Sequence, residues 1–268
     1  VFAEEMRTRK QSSFFFGNNP LNFIMSILPF LALAPCVVGQ APLVEPSMNE
    51  EVGEIIAIDV LLHPDSTMLA AAAAANESLR GDYPAGFALD PLHTPHISMI
   101  QRCVRRSEMK RLEENLAKLF AGYDVTKLHL KAVGYYSLPV GELGLAGIVV
   151  EPSAELRELQ DQVIGTVEPF AVSGTGAAFV PSPDGVVTAP SIVEYVNTYI
   201  PQRSGKNFNP HCTVGLGRTT FVQQMIVAPF STFEFKVTGV SVFHLGNYGT
   251  AAVELWPKSP AEADHTAK

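Results

Sequence analysis

The chain is poor in cysteine, in charge and above all in net positive charge. It has three cysteines in 268 residues. Cys36 lies in an apolar N-terminal run, so only Cys103 and Cys212 remain beyond it and no disulfide framework can be read. Both read as small buried hydrophobes. Charged residues make up 17%, and 19 Lys and Arg stand against 27 Asp and Glu, a formal net charge of -8. That balance excludes a broad basic surface for gripping long nucleic acid and leaves open a local basic patch or a single nucleotide end as ligand. A glycine-rich phosphate loop is also missing, because Gly141, Gly144 and Gly147 have no strand-loop-helix around them. Nor is there a long uninterrupted apolar stretch: the run Phe23 to Val38 is short and broken by Pro29 and Pro35, which argues against a membrane-spanning helix.

What is present begins with that N-terminal run. Met6-Arg7-Thr8-Arg9-Lys10 is basic, Phe23 to Val38 is apolar, and Gly39 and Ala41 are small. These are the parts of a secretory signal, so residues 1–39 read as a signal peptide and 40–53 as a linker. The expected location is secreted or periplasmic, with no stable membrane insertion after cleavage; anchoring through the N-terminal segment is the alternative. At the other end, residues 257–268 are polar and read as a flexible tail.

Between these ends, 47% hydrophobic content supplies a sizeable core. Glu54 to Leu62 is a buried strand by its continuous apolar character, and Thr67 to Arg80, with six consecutive alanines, is a helix that Ser66 is placed to cap. His96 to Val104 reads as a strand. Leu112, Leu116, Leu119 and Phe120 recur at helical spacing within 107–123. Strands follow at 127–136 and 145–151. The second half runs helix 153–167, a Gly, Ser and Pro-rich stretch 170–190, helix 191–200, strand 211–216, helix 219–227 and strands 232–244 and 250–255.

Two stretches about a hundred residues apart share one pattern. Pro95-His96-Ile97-Ser98 and Pro210-His211-Cys212-Thr213 each read proline, histidine, any residue, hydroxyl residue. The period of two along a strand puts imidazole and hydroxyl on one face. The chain has seven histidines, and at about one hydroxyl residue in eight, chance alone gives about one such pair. The weight therefore rests on the repeat: proline before, apolar residues after, and a strand followed by a helix and two more strands in both halves. Two imidazoles and two hydroxyls converging on one cleft suit opening of a phosphodiester. One neutral histidine activates water, one protonated histidine protonates the leaving oxygen, and hydroxyls donate to the phosphate oxygens.

This motif pair resembles the 2H phosphoesterase superfamily, which includes the 2'-5' RNA ligases and RNA 2',3'-cyclic phosphodiesterases. The resemblance covers residues 54–256. It implies an α+β fold of two lobes related by a pseudo-twofold axis, with two antiparallel sheets lining a central cleft and helices outside. It also implies His96, Ser98, His211 and Thr213 as catalytic residues and no metal or organic cofactor. Ser98 stands where threonine is more frequent, which keeps the hydroxyl. The expected activity is hydrolysis of a 2',3'-cyclic phosphate of a nucleotide or RNA end. The alternative is a non-catalytic binding module for such ends. The expected partner is a small nucleotide or RNA end, and the protein reads as a monomer.

Four further residues are candidates for holding substrate. Arg102 falls on the face of His96 if the strand stays regular. Tyr135 (or its neighbour Tyr136), Phe208 and Tyr248 offer aromatic rings to a base. His93, three residues before His96, has poor geometry for a metal pair because prolines flank it at 91 and 95.

Overall fold

The computed structural model describes residues 53–91, 93–182 and 185–257. The expected signal peptide, nearly all of the linker and most of the tail lie outside the described residues, as does the segment on which the expected location rests. Among the described residues no helix is long and apolar enough to cross a membrane.

Strand β1 (Ile55–Pro64) is buried along almost its whole length, as its unbroken apolar run requires. Helix α1 (Ser66–Asp82) follows at once. Its cap is Asp65, not Ser66: the Asp65 carboxylate accepts from the backbone N–H groups of Thr67 and Met68. Strand β2 (Ile97–Arg105) carries the first motif and leads into α2 (Met109–Gly122). A hairpin of β3 (His129–Val140) and β4 (Leu143–Val150) closes the first half, longer than the sequence pattern indicates because the ladder runs to the turn.

The second half opens with α3 (Ala154–Val167), capped by Ser153, whose Oγ accepts from the Leu156 N–H. The stretch after it holds the short β5 (Ala171–Val172) and a 3-10 turn at Gly176–Ala178. The single helix expected near 191–200 is two, α4 (Pro190–Asn197) and α5 (Tyr199–Arg203). Strand β6 (His211–Arg218) carries the second motif, and α6 (Thr219–Val227), β7 (Phe233–Leu245) and β8 (Ala251–Trp256) complete the fold.

The strands pair in the order β1-β2-β6-β4-β3-β7-β8, all antiparallel, and β7 also pairs with β1. Residues 233–236 of β7 join β3, while residues 237–244 join β1. Two antiparallel sheets thus share β7 and meet again where β2 touches β6 through one pair, Ile97 with Cys212. This is the expected α+β architecture. One face of the strands packs against α1, α2, α3 and α6 in the main core, which contains Ile58, Leu79, Ile97, Ile100, Leu116, Ile148, Val163 and Cys212.

Helix α4 departs from the pattern of helices outside. Val196 packs with Ala57, Cys103, Ala178, Phe179 and Leu245 in a second, smaller core, and Ala57 shares its face with Asp59, so α4 lies over the inner face of β1 and β2. Cys103 and Cys212 are both free and buried. Burial raises their thiols to about 11 and about 12 respectively, so both stay protonated at neutral pH.

Candidate functional site

The register of the ladders places the motif residues. Ile97 pairs with Cys212, so the next pairs along the same antiparallel register set His96 opposite Thr213 and Ser98 opposite His211. On one side Thr213 faces Gly147 and Gly147 faces Tyr136. On the other, Ser98 faces Leu61 and Leu61 faces Ser241, while the pair after Leu62–Ile97 brings His63 beside His96. Two rows of side chains result, related by a pseudo-twofold axis. His96 answers to His211 and Ser98 to Thr213. Beyond these the halves differ: Tyr136 and Gly147 stand in one half where Ser241 and Leu61 stand in the other, and His63 stands where the other half has Val149.

Both motif histidines are held alike. Nδ1 of His96 donates to the carbonyl of Thr94 at 2.7 Å, and Nδ1 of His211 to the carbonyl of Asn209 at 2.7 Å. A carbonyl only accepts, so each Nδ1 carries a hydrogen and each neutral ring keeps its lone pair on Nε2. Nε2 is therefore the atom of each ring left to accept or give up a proton. The prolines before each histidine set the extended turn that brings the carbonyl two residues upstream within reach.

The surroundings of the two rings are unlike. Nε2 of His96 lies 3.7 Å from Oδ2 of Asp59, whose side chain is wholly inaccessible while that of His96 is 16% exposed. Burial raises Asp59 from 3.8 to about 6, opposed by the charge of His96 and by hydrogen bonds from Ser98 and Gln101. Ser98 Oγ donates to Asp59 Oδ2 at 2.5 Å and Gln101 Nε2 donates to the same oxygen at 2.8 Å, while Oδ1 has no hydrogen-bond partner among the described residues. His211 instead meets the ring of Tyr136, with centroids 4.4 Å apart. Burial first, then the charges of His96 and Arg203, lower His211 to about 4 against the pull of its bond to Asn209. The Tyr136 hydroxyl is sealed from solvent beside the Thr213 hydroxyl and makes no hydrogen bond of good geometry among the described residues.

Gly147 makes this packing available. A Cβ there would overlap Cε1 of Tyr136, so only glycine lets the phenol ring cross β4 to reach His211.

Several sequence expectations meet a different arrangement. Ser98 directs its hydroxyl hydrogen to Asp59, so of the two motif hydroxyls that of Thr213 is the one without a carboxylate partner among the described residues. Arg102 is turned away. Val60 pairs with Ile100 and Leu61 with Ser98, which leaves Met99 as an extra residue in β2. Past this bulge the faces exchange: Gln101 and Cys103 come to the face of Asp59, and Arg102 to the face of Ile58. Its guanidinium is spent on Glu168 and on the carbonyl of Asn197. Tyr135 pairs with Ile148 on the opposite face from His211 and stacks edge-on against Phe230 at 5.1 Å. Phe208 is 5% exposed and belongs to the main core. Tyr248 is 68% exposed at the β7–β8 turn. His93 bonds Asp90 and stacks on Phe87.

Four residues outside the sequence expectations join the site. Asp59 is visible in the sequence as the one carboxylate inside the apolar run Ile55 to Leu62. Gln101 accompanies it. His63 donates through Nε2 to Ser241 Oγ at 2.8 Å, and Ser241 donates to Glu254 at 2.6 Å. Arg203, at the end of α5, lies with its guanidinium 5.0 Å over the ring of Tyr195. Its charge acts on His211, Tyr136, Tyr195 and Tyr199. Nothing in the sequence pattern marks it. Among the described residues no cluster of three or more His, Cys, Asp or Glu could hold a metal.

No curated protein matches the chain. Solved structures align with it over most of its length. TT0787 of Thermus thermophilus is 16% identical over 75% of this chain and 95% of its own, with a TM-score of 0.43. Usb1 of Kluyveromyces marxianus is 12% identical over 76% of this chain and 99% of its own, with a TM-score of 0.36. The same protein with uridine monophosphate gives 14%, 70%, 98% and 0.34. A family model matches residues 69–249, which include both histidine motifs, α1 from Leu69 onward and all strands except the first and the last. By that match the chain belongs to the 2'-5' RNA ligase superfamily.

Proposed function

We propose that this protein is a phosphodiesterase that opens a 2',3'-cyclic phosphate of a nucleotide or RNA end by two-histidine general acid–base catalysis, with no metal in the step. The observation that supports it most is the matched tethering of His96 and His211: each Nδ1–H is fixed on a backbone carbonyl, which leaves two Nε2 atoms to work on one phosphorus.

The unequal surroundings divide the roles. His211, depressed to about 4, is neutral at working pH and serves as general base, taking a proton from water as its oxygen attacks phosphorus. His96 beside the Asp59 carboxylate is the general acid, giving its Nε2 proton to the ribose oxygen as the phosphorus–oxygen bond breaks. The proton count balances: one enters at His211, one leaves from His96, and solvent exchange restores both. Arg203 and the Thr213 hydroxyl face the charge that grows on the non-bridging oxygens. Asp59 touches no substrate atom; its carboxylate lies beside His96 Nε2 and accepts the hydrogen bond of Ser98.

The test is incubation of the full chain with 2',3'-cyclic nucleotides in the presence of a chelator, with product identified by phosphorus NMR. Turnover to a 2'- or 3'-monophosphate, abolished in both His96→Ala and His211→Ala, is expected. Saturable binding without turnover would replace the enzyme reading with that of a binding module for nucleotide ends.

A further inference from the structure

Each motif strand carries a bulge at the third residue after its histidine. Met99 is the extra residue in β2, and in β6 the pairs Thr213–Gly147 and Gly215–Ala146 leave Val214 as the extra one. A bulge frees a backbone carbonyl from the ladder. Both freed carbonyls are taken by a buried side-chain amide. Asn76 of α1 donates through Nδ2 to Val214 O at 2.8 Å and to Phe87 O at 3.0 Å. Gln160 of α3 donates through Nε2 to Met99 O at 3.2 Å and to Arg203 O at 3.0 Å. Asn76 is 6% exposed and Gln160 is fully buried.

The two sets of bonds are reciprocal. Asn76 joins the bulge of the His211 strand to the segment that leads into His96. Gln160 joins the bulge of the His96 strand to the segment that leads into His211. Each is a lone polar residue on the buried face of its helix, beside Met68, Ala72, Ala75 and Leu79 in α1 and Leu156, Leu159, Val163 and Val167 in α3. Gly215 gives Asn76 its room: with φ of 150° and a Cβ that would lie 2.8 Å from Asn76 Nδ2, the position admits no larger residue. Between β2 and β6 themselves only one ladder pair exists.

We propose that Asn76 and Gln160 are positioning residues that fix the separation of His96 and His211 across the cleft. General acid and general base must act on opposite sides of one phosphorus, and a single ladder pair leaves the two strands free to pivot about Ile97 and Cys212. An amide nitrogen with two hydrogens, placed between two carbonyls, removes that freedom from each side. Gln160 also fixes the backbone of Arg203 and so the charge that faces His211. The activity readout rests on the phosphodiesterase reading; the distance readout does not.

The experiment uses the full chain with Gln160→Met, which keeps the volume and removes both donors, and Gln160→Glu, which keeps one donor as the neutral acid. Positioning predicts a loss in kcat of about a hundredfold for Gln160→Met, the cost of misplacement on the order of 1 Å, with KM within about threefold of wild type. Gln160→Glu recovers part of kcat, and Asn76→Leu reproduces the Gln160→Met loss. In parallel, spin labels at the exposed positions of R105C and T220C report the spacing of the two motif-bearing halves, and their distance distribution broadens or shifts in Gln160→Met. A lowered Tm with wild-type kcat and an unchanged distance distribution would make the amides merely structural and overturn the proposal. If wild type opens no cyclic phosphate, the functional reading falls while the spin-label distances still decide the clamp, an unchanged distribution in Gln160→Met rejecting it.

Discussion

Asp59 Oδ2 stands 3.7 Å from His96 Nε2 inside the protein, while the charges acting on His211, the equivalent residue of the other half, are those of His96 and Arg203. A pseudo-symmetric scaffold thus holds two histidines identically at Nδ1 and makes them chemically different at Nε2. One half sets a carboxylate beside the proposed general acid; the other sets a phenol ring and the charge of the Arg203 guanidinium beside the proposed general base.

On the proposed roles the acidic limb of kcat/KM belongs to His211 and should fall near pH 4. Asp59→Asn removes the carboxylate beside His96 and leaves the surroundings of His211 in place, so kcat should fall while the acidic limb stays near pH 4. Steady-state rates from about pH 3.5 to about pH 9 check this; a shift of the acidic limb instead would reverse the assignment of acid and base.

The same two groups give opposite slopes of stability against pH. Asp59 is raised from 3.8 to about 6, so the folded chain keeps a proton that the unfolded chain has lost, and stability falls as pH rises through that window. His211 is lowered from 6.5 to about 4, so the unfolded chain binds the proton first, and stability falls as pH drops from 6.5 to 4. Each pH unit separating the folded from the unfolded value is worth about 1.4 kcal/mol, so each group contributes about 3 kcal/mol and the two largely offset one another. Asp59→Asn leaves the second slope alone. Urea titrations should show the variant losing about 3 kcal/mol between pH 6.5 and 4, where wild type changes little.

Replacing either histidine with alanine should cost about two to four orders of magnitude in kcat, the range for removing a general acid or base. The arginines provide a contrast. Arg203→Met should lower kcat/KM for a cyclic nucleotide by about tenfold or more, because the cation proposed to face the non-bridging oxygens is lost. Arg102→Met should leave kcat within about twofold and lower Tm, since its partners are Glu168 and the Asn197 carbonyl. Equal kinetic losses in the two variants would refute this division.

What the sequence could tell about these residues follows from the range of the forces involved. The shared face of His96 with Ser98 and of His211 with Thr213 depends only on the strand period, and so it is legible. The faces of Arg102 and Cys103 depend on a bulge at Met99 held by Gln160, a residue 61 positions away. No local pattern announces that bond, and one extra residue inverts every face beyond it. Tyr135 and Tyr136 pose the reverse problem. The period says that one of the two must face the cleft, and which one is set by pairing with Gly147, whose missing side chain is legible only once β3 and β4 are aligned. Asp59 carries a signal in its own setting, because a carboxylate in a fully buried strand needs neighbours that bond it. Arg203 carries none: its relation to His211 is made by the turn from α4 into α5 and the backbone bond to Gln160.

Gly147 and Tyr136 offer the sharpest check on the His211 side of the cleft. A methyl group at position 147 would overlap the Tyr136 ring at Cε1 and approach the Cys212 carbonyl at 3.1 Å. The ring must then leave its place against His211 or the strand must shift. Gly147→Ala should therefore reduce kcat by about tenfold or more, beyond the loss in Tyr136→Phe, which keeps the ring and removes a hydroxyl that makes no well-formed hydrogen bond among the described residues. Tyr136→Phe keeps the ring against His211 and should leave the pH profile alone. Displacing the ring in Gly147→Ala admits water to His211 and lifts the acidic limb above pH 4, because burial is the largest cause of its depression. The two variants thus separate the ring from its hydroxyl, and an acidic limb that stays at about pH 4 in Gly147→Ala would show that Tyr136 does not shield the base.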